Sequence, residues 1–214
     1  MTAVMKPISP IPDQPTSVTK LDAARRQLLA AIHLHWYFDE PIAVYTLAGN
    51  AWQLSHDLLK KADRIRIVEE MARSHGRPQK EFWDLINRPR NFFKHADNDP
   101  DATAPDVHFS DCDAMIESAC VDYIVAARRS PTVVGIFIAW YSAIYPEKTG
   151  DFMKYAADEL FGDLSDLDRA EHLRRARVIA AKPVSSEVLH NIRNEMTDNY
   201  RWAGLRAGRI KGLS

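Results

Sequence analysis

Apolar residues recur at helical spacing over most of the chain, and the recurrence is interrupted by prolines, glycines and small capping residues. Leu21, Ala24, Leu28, Ala31, Ile32 and His35 form one such stripe, with Thr19 as its N-cap and Asp22 in capping-box position. Asp39-Glu40-Pro41 closes this helix, and Pro41 suits the first turn of the next. Over 41–61 two stripes run side by side. Ile42, Tyr45, Gly49, Trp52, His56 and Leu59 make one, and Val44, Leu47, Ala51, Leu54 and Leu58 the other. A helix that is apolar on two faces belongs at the centre of a bundle.

A short helix is predicted over 63–74, stopped by His75-Gly76. The next runs over 78–97, where Phe82, Leu85, Ile86, Phe92, Phe93 and Ala96 keep one stripe across Pro89. It either continues through a kink or restarts with Pro89 in its first turn. A polar loop over 98–107 leads to a helix capped by Ser110 and reaching Arg129, with Cys112, Ile116, Ala119, Tyr123 and Ala127 inward. Ser130-Pro131 then opens a strongly apolar helix to Tyr145.

Beyond Pro146 the chain is more polar. Two helices are expected over 147–181, separated near Gly162, and a last one runs from Ser185 towards Leu205. The fold class is therefore all-α: an antiparallel helical bundle over 19–146 with additional C-terminal helices over 147–214, either a separate unit or packed on the core. Residues 1–18 carry Pro7, Pro10, Pro12 and Pro15 without an apolar run, which predicts a disordered arm rather than a signal peptide.

Charge narrows the choice of partners. The 28 basic and 29 acidic side chains leave a net charge of −1, so contact with a polyanion would need a local cluster. Cys112 and Cys120 on one helix would have Cα atoms about 12 Å apart, too far for a disulfide. The stretch from Val133 to Tyr145 is too short for a bilayer. These features point to a cytoplasmic chain that does not enter the membrane.

The segment with a chemical character is Arg90-Asn91-Phe92-Phe93-Lys94-His95. On an ideal wheel with Arg90 at zero, Lys94 falls near ~40°, Asn91 near ~100° and His95 near ~140°, with Phe92, Ala96 and Phe93 roughly opposite. Such a helix would anchor its aromatic side in the core and show a guanidinium, an amide, an ammonium and an imidazole to water. Arginine fits phosphate and stays charged, histidine exchanges protons near neutral pH, and the amide orients its neighbours. Residue types alone also allow a solvated polar face, with His95 a partner of the helix dipole or of Asp97.

The same string resembles the signature of the HEPN family: an arginine, a polar residue, a short variable run and a histidine, here with four residues between Arg90 and His95. The resemblance covers the helical core over 19–145. It implies a helical bundle that forms a homodimer and joins two motif copies in one cleft, and a metal-independent endoribonuclease without a cofactor, of the kind found in toxin and defence systems. In that chemistry the ribose 2′-hydroxyl attacks the neighbouring phosphate. By position, His95 would be the general acid or base, Arg90 would stabilise the phosphorane, and Asn91 would position groups. Lys94, at a variable position of the motif, would contribute a substrate-binding charge. RNA and an antitoxin or other regulatory protein are the partners implied. Other members have lost catalysis, so a silent RNA- or protein-binding module stays open as the alternative.

Other features have structural readings. His33 and His35 lie on different sides of their helix, and at least one is expected to be buried and hydrogen-bonded. His56 is read as a core histidine, and Trp52, Trp83 and Trp140 as core. Two basic runs, Arg169 to Arg177 and Arg201 to Lys211, are either solvated faces or phosphate contacts.

Overall fold

A computed structural model describes residues 17–195 apart from Asp39, Asn98, Phe152 and Val184. Residues 1–16 of the arm expected over 1–18, and the part of the last expected helix beyond Glu195, lie outside the described residues. Among those described there are ten helices and a single isolated β-bridge. They are α1 (Lys20–Tyr37), α2 (Pro41–Lys61), α3 (Ile67–His75), α4 (Gln79–Phe92), α5 (Phe109–Ala127), α6 (Thr132–Ile144), α7 (Pro146–Thr149), α8 (Lys154–Leu160), α9 (Arg169–Ala180) and α10 (Ser186–His190).

Local chemistry accounts for several boundaries. Thr19 Oγ1 accepts from the Asp22 amide at 3.0 Å while the Asp22 carboxylate accepts from Thr19 N at 3.2 Å, a complete capping box. Pro41 opens α2. Gly76, at φ 61°, ends α3 in the left-handed conformation that costs glycine least. The cap of α5 is His108 rather than Ser110: its Nδ1 accepts from the Ser110 amide at 3.3 Å. Lengths differ more at two places. The helix α3 starts at Ile67 because Asp63 sits at φ 50°, which breaks the turn after α2. The helix α10 spans only five residues, and the chain then returns to the α5–α6 junction, where the Ser130 amide donates to Arg193 O at 3.0 Å and the Glu195 amide to Ser130 O at 2.8 Å.

The central layer is α1, α2 and α5, with α2 pressed against both neighbours as its two apolar stripes require. Trp36, Trp52, Trp140, Tyr123 and Phe137 are fully buried, and burying side chains of this size contributes about 1.5–3 kcal/mol each. The helices after Tyr145 share this core: Ala157, Phe161, Leu164 and Ala176 belong to the same buried cluster as the residues of α1, α2 and α5. Trp140 Nε1 donates to His172 O at 2.9 Å, and Arg177 donates to the Trp36 carbonyl. The extension is thus packed on the bundle.

A buried polar node reinforces that packing. Asp113 on α5 is wholly buried and accepts from His35 on α1, from Tyr145 Oη at 2.9 Å and from both terminal nitrogens of Arg169 on α9 at 3.0 and 3.1 Å. Burial alone would raise this carboxyl. The His35 hydrogen bond and charge, the Arg169 charge and the Tyr145 hydroxyl outweigh it and hold Asp113 below its ordinary value. The next two cations of the first basic run are paired at the surface. Arg174 and Arg175 pair with Glu171 at 2.6 and 2.8 Å on the outer side of α9. Cys112 and Cys120 are buried and form no disulfide among the described residues.

Against this frame α3 and α4 form an arm held at few points. Tyr45 Oη donates to Ile86 O at 3.1 Å, and the Ile67 amide at the start of α3 donates to Asp122 at 2.8 Å. No helix of the described residues is long and apolar enough to cross a membrane.

Candidate functional site

The motif occupies the last turn of α4 and the residues that follow. Pro89 lies inside the helix, so the chain continues through it rather than restarting there. The helix ends at Phe92, yet the His95 amide still donates to Asn91 O at 3.1 Å, which adds one further turn. Asn91 and His95 therefore stand one above the other, continuing the row Trp83, Asn87, Asn91, His95 at intervals of four. Asp84, Arg88 and Phe92 form the adjacent row. Between these rows and Asp99 of the following loop lies an open groove of about 750 Å³.

The inward face of α4 differs from the wheel expected from the sequence. Leu85 is 69% exposed and Phe92 37%, and Ala96 is exposed, whereas Arg90 is only 5% exposed. The inward row is Ile86 and Arg90, flanked by the partly buried Phe82 and Phe93. The reason lies on α2. Gly49 leaves space that the aliphatic stem of Arg90 fills: a Cβ added at Gly49 would come within 2.5 Å of Arg90 Cδ and 2.7 Å of Nε. The guanidinium lies 5.8 Å from the Trp52 ring centroid and donates to Gln53 Oε1 at 3.2 Å and Asn87 Oδ1 at 2.6 Å. Its Nε is sealed without a partner, and burial lowers its pKa. Arg90 thus lies under the groove and touches it through Asn87, whose amide nitrogen in turn donates to Trp83 O at 2.9 Å.

The other three motif residues are exposed. The side chains of Asn91, Lys94 and His95 make no hydrogen bond or ion pair among the described residues. The Lys94 ammonium is pushed down, first by its partial burial and then by the Arg90 charge, which makes this end of α4 locally positive. Arg88 is also without an ion pair among the described residues, while Asp84 is held by Lys80. Asp99 adds a negative charge at the far rim. The groove combines an open imidazole, an open amide and two unpaired cations near its wall, so it can exchange a proton and bind an anionic group.

His56 is buried between Trp52 and Trp83, at ring separations of 5.1 and 5.0 Å. Burial and the Arg66 charge lower it to about 4, which keeps it neutral as a spacer behind the groove. Trp83 is only partly buried and forms a groove wall, whereas Trp52 and Trp140 are core as expected. Of the supporting residues, Gly49 appears in the sequence only as a member of the Tyr45–Trp52 stripe, and Gln53 and Asn87 are not singled out. Signals were available for Asn87, as the residue one turn before Asn91, and for Gly49, as a gap between Tyr45 and Trp52 on its stripe. Among the described residues no group of three or more histidine, cysteine or acidic side chains is placed to hold a metal ion. Comparison with protein-family models, curated proteins and solved structures finds no match to the chain.

Proposed function

We propose that the α4 groove is an RNA-cleaving surface of the HEPN type, used in pairs by a homodimer. The observation that carries this reading is the open, unpartnered His95 imidazole one turn from Asn91 in an open groove. The ribose 2′-oxygen attacks phosphorus, its proton passing to a base, and the bond to the 5′-oxygen breaks as that oxygen takes a proton. His95 supplies one of these transfers and the second copy's groove the other. Asn91 positions the phosphate, and Lys94 with Arg88 meets its charge. Arg90 acts beneath the surface as a positioning residue, fixing Asn87 and the groove wall. This departs from the role the resemblance implies for it.

The test is incubation of the purified full chain with mixed-sequence RNA in excess chelator, with the product ends identified. The expected result is cleavage to cyclic phosphate and 5′-hydroxyl ends by the wild type and none by His95→Ala. Absence of cleavage by the wild type, or equal cleavage by the variant, rejects the proposal. A silent binding module is the second reading, favoured by the intramolecular bonds of Arg90 to Gln53 and Asn87. It expects RNA or a protein to be retained by the wild type without cleavage, and retention to be lost when Asn91 and Lys94 are replaced together.

A further inference from the structure

The α4 groove is longer than the chemistry at its motif end needs. Its wall runs from Trp83 to His95, about 18 Å at a rise of 1.5 Å per residue. Nucleotides stacked along one strand are spaced about 3.4 Å apart. A strand of several nucleotides, rather than one phosphodiester, matches that length. The two ends also differ in character. Arg88 lies midway, and Lys94 stands beside Asn91 and His95, so the unpaired cations serve the middle and the motif end. At the other end the charged neighbour is Asp84, already held by Lys80. That end offers a phosphate nothing, and what it presents instead is the indole of Trp83.

The indole is fixed from behind. It rests against His56 and Trp52, with ring centroids at 5.0 and 5.3 Å. The Trp83 carbonyl accepts from Asn87 Nδ2 at 2.9 Å, and Asn87 Oδ1 accepts from the buried Arg90 at 2.6 Å. The ring is thus set in place before any ligand arrives, and its uncovered part lines the groove. Its N–H has no hydrogen-bond partner among the described residues and is not sealed from solvent.

A fixed aromatic ring in line with cations suits a nucleobase, because every base has a π-face and stacking needs no matched hydrogen-bond pattern. Resting on the reading of the groove as an RNA surface, we propose that Trp83 is a stacking platform for one unpaired base of the substrate strand, several nucleotides from the linkage at His95. The strand between them follows Arg88 towards Asn91. The platform selects by stacking area, so it favours a purine over a pyrimidine. A base inside a duplex is already stacked and paired, and it does not reach the ring.

The test is binding of end-labelled 2′-O-methyl oligonucleotides of one length to the full chain, followed by fluorescence anisotropy. A 2′-O-methyl group cannot attack phosphorus, so binding is read apart from cleavage. The probes are oligoadenylate, oligouridylate and a strand of abasic spacers with the same phosphates. The wild type is expected to bind oligoadenylate about tenfold more tightly than the abasic strand, with oligouridylate between them. Trp83→Phe keeps a ring and retains the preference, whereas Trp83→Leu, confirmed folded, binds oligoadenylate and the abasic strand equally. No binding of any probe, equal affinity of the wild type for oligoadenylate and the abasic strand, or an undiminished preference in Trp83→Leu overturns the proposal. The wild-type comparison decides the matter even where Trp83→Leu does not fold. Base-dependent binding without cleavage of RNA supports the platform and rejects the nuclease reading, and cleavage without base-dependent binding does the reverse.

Discussion

Arg169 and Arg90 are both drawn into the protein, but they are held by opposite means. Arg169 meets an ionised, fully buried carboxylate with two hydrogen bonds and shares it with His35 and Tyr145. Arg90 meets only the neutral amides of Gln53 and Asn87 and the Trp52 ring, with Nε unpartnered. The first arrangement is a satisfied ion pair that fastens α9 to the bundle. The second is a desolvated cation without a counter-ion, placed under an open groove. A buried charge that lacks a partner is retained at a cost, which directs attention to what lies above Arg90 rather than to the better-bonded node around Arg169.

This contrast can be broken at Asp113. Replacing it with alanine leaves Arg169 and His35 facing a cavity, and thermal unfolding is expected to report a loss of about 3–5 kcal/mol. A loss below about 1 kcal/mol would mean that the node does not hold the extension. At the other arginine, Gly49→Ala forces a methyl group against the Arg90 stem, with an expected cost of about 1–3 kcal/mol. The same substitution in an Arg90→Ala background is expected to cost far less, because the clash is gone, and a double-mutant cycle measures the difference.

The acids of α5 sharpen the comparison by one helical turn. Asp113, with its cationic partners, is held low, whereas burial alone pushes Glu117 up to about 8. Burial likewise raises Asp122 to about 7, against the opposing pull of the Ile67 amide. A carboxyl whose folded pKa is raised keeps its proton in the native state while the unfolded chain releases it, so stability falls as pH rises from the ordinary carboxyl range towards 7–8. Glu117→Gln is expected to flatten this slope and to recover about 1 kcal/mol at the alkaline end, read from denaturant midpoints. An unchanged slope would place the protonated acid elsewhere. Arg90→Met, which removes the unpaired charge and keeps the stem, is expected to stay within about 1 kcal/mol of wild type in the same measurement. His95→Ala is expected to change stability by less than about 0.5 kcal/mol, since its ring is exposed and without partners.

The frame of the molecule was readable because it rests on local rules. The Thr19–Asp22 box, Pro41, Gly76 and the double stripe of α2 are contained within a few residues of sequence, and each appears where its chemistry requires. The phase of α4 was not readable. An arginine in the inward row contradicts the preference of charge for water, and what overrides it is a hole at Gly49, some forty residues earlier in the chain. The aromatic pair Phe92-Phe93 misled for the same reason: it suggested an inward anchor, yet Phe93 alone packs against the core while Phe92 lines the groove. The Asp113 node joins residues from three helices and the α6–α7 junction and carries no spacing signal at all. His35 could be read only as a buried, bonded histidine. Asn91 and His95 were legible as neighbours because an interval of four residues survives even where the helix ends.

In the proposed reaction His95 carries the chemistry of the groove while Arg90 supports it from below. Initial rates of RNA cleavage by the wild type, Arg90→Met and His95→Ala, all confirmed folded, test this most directly. Loss of an acid–base group is expected to reduce the rate by at least about a hundredfold in His95→Ala, and displacement of a support by about tenfold in Arg90→Met. Equal loss in both variants would put the guanidinium on the phosphate itself, and full activity in His95→Ala would remove the groove from the reaction.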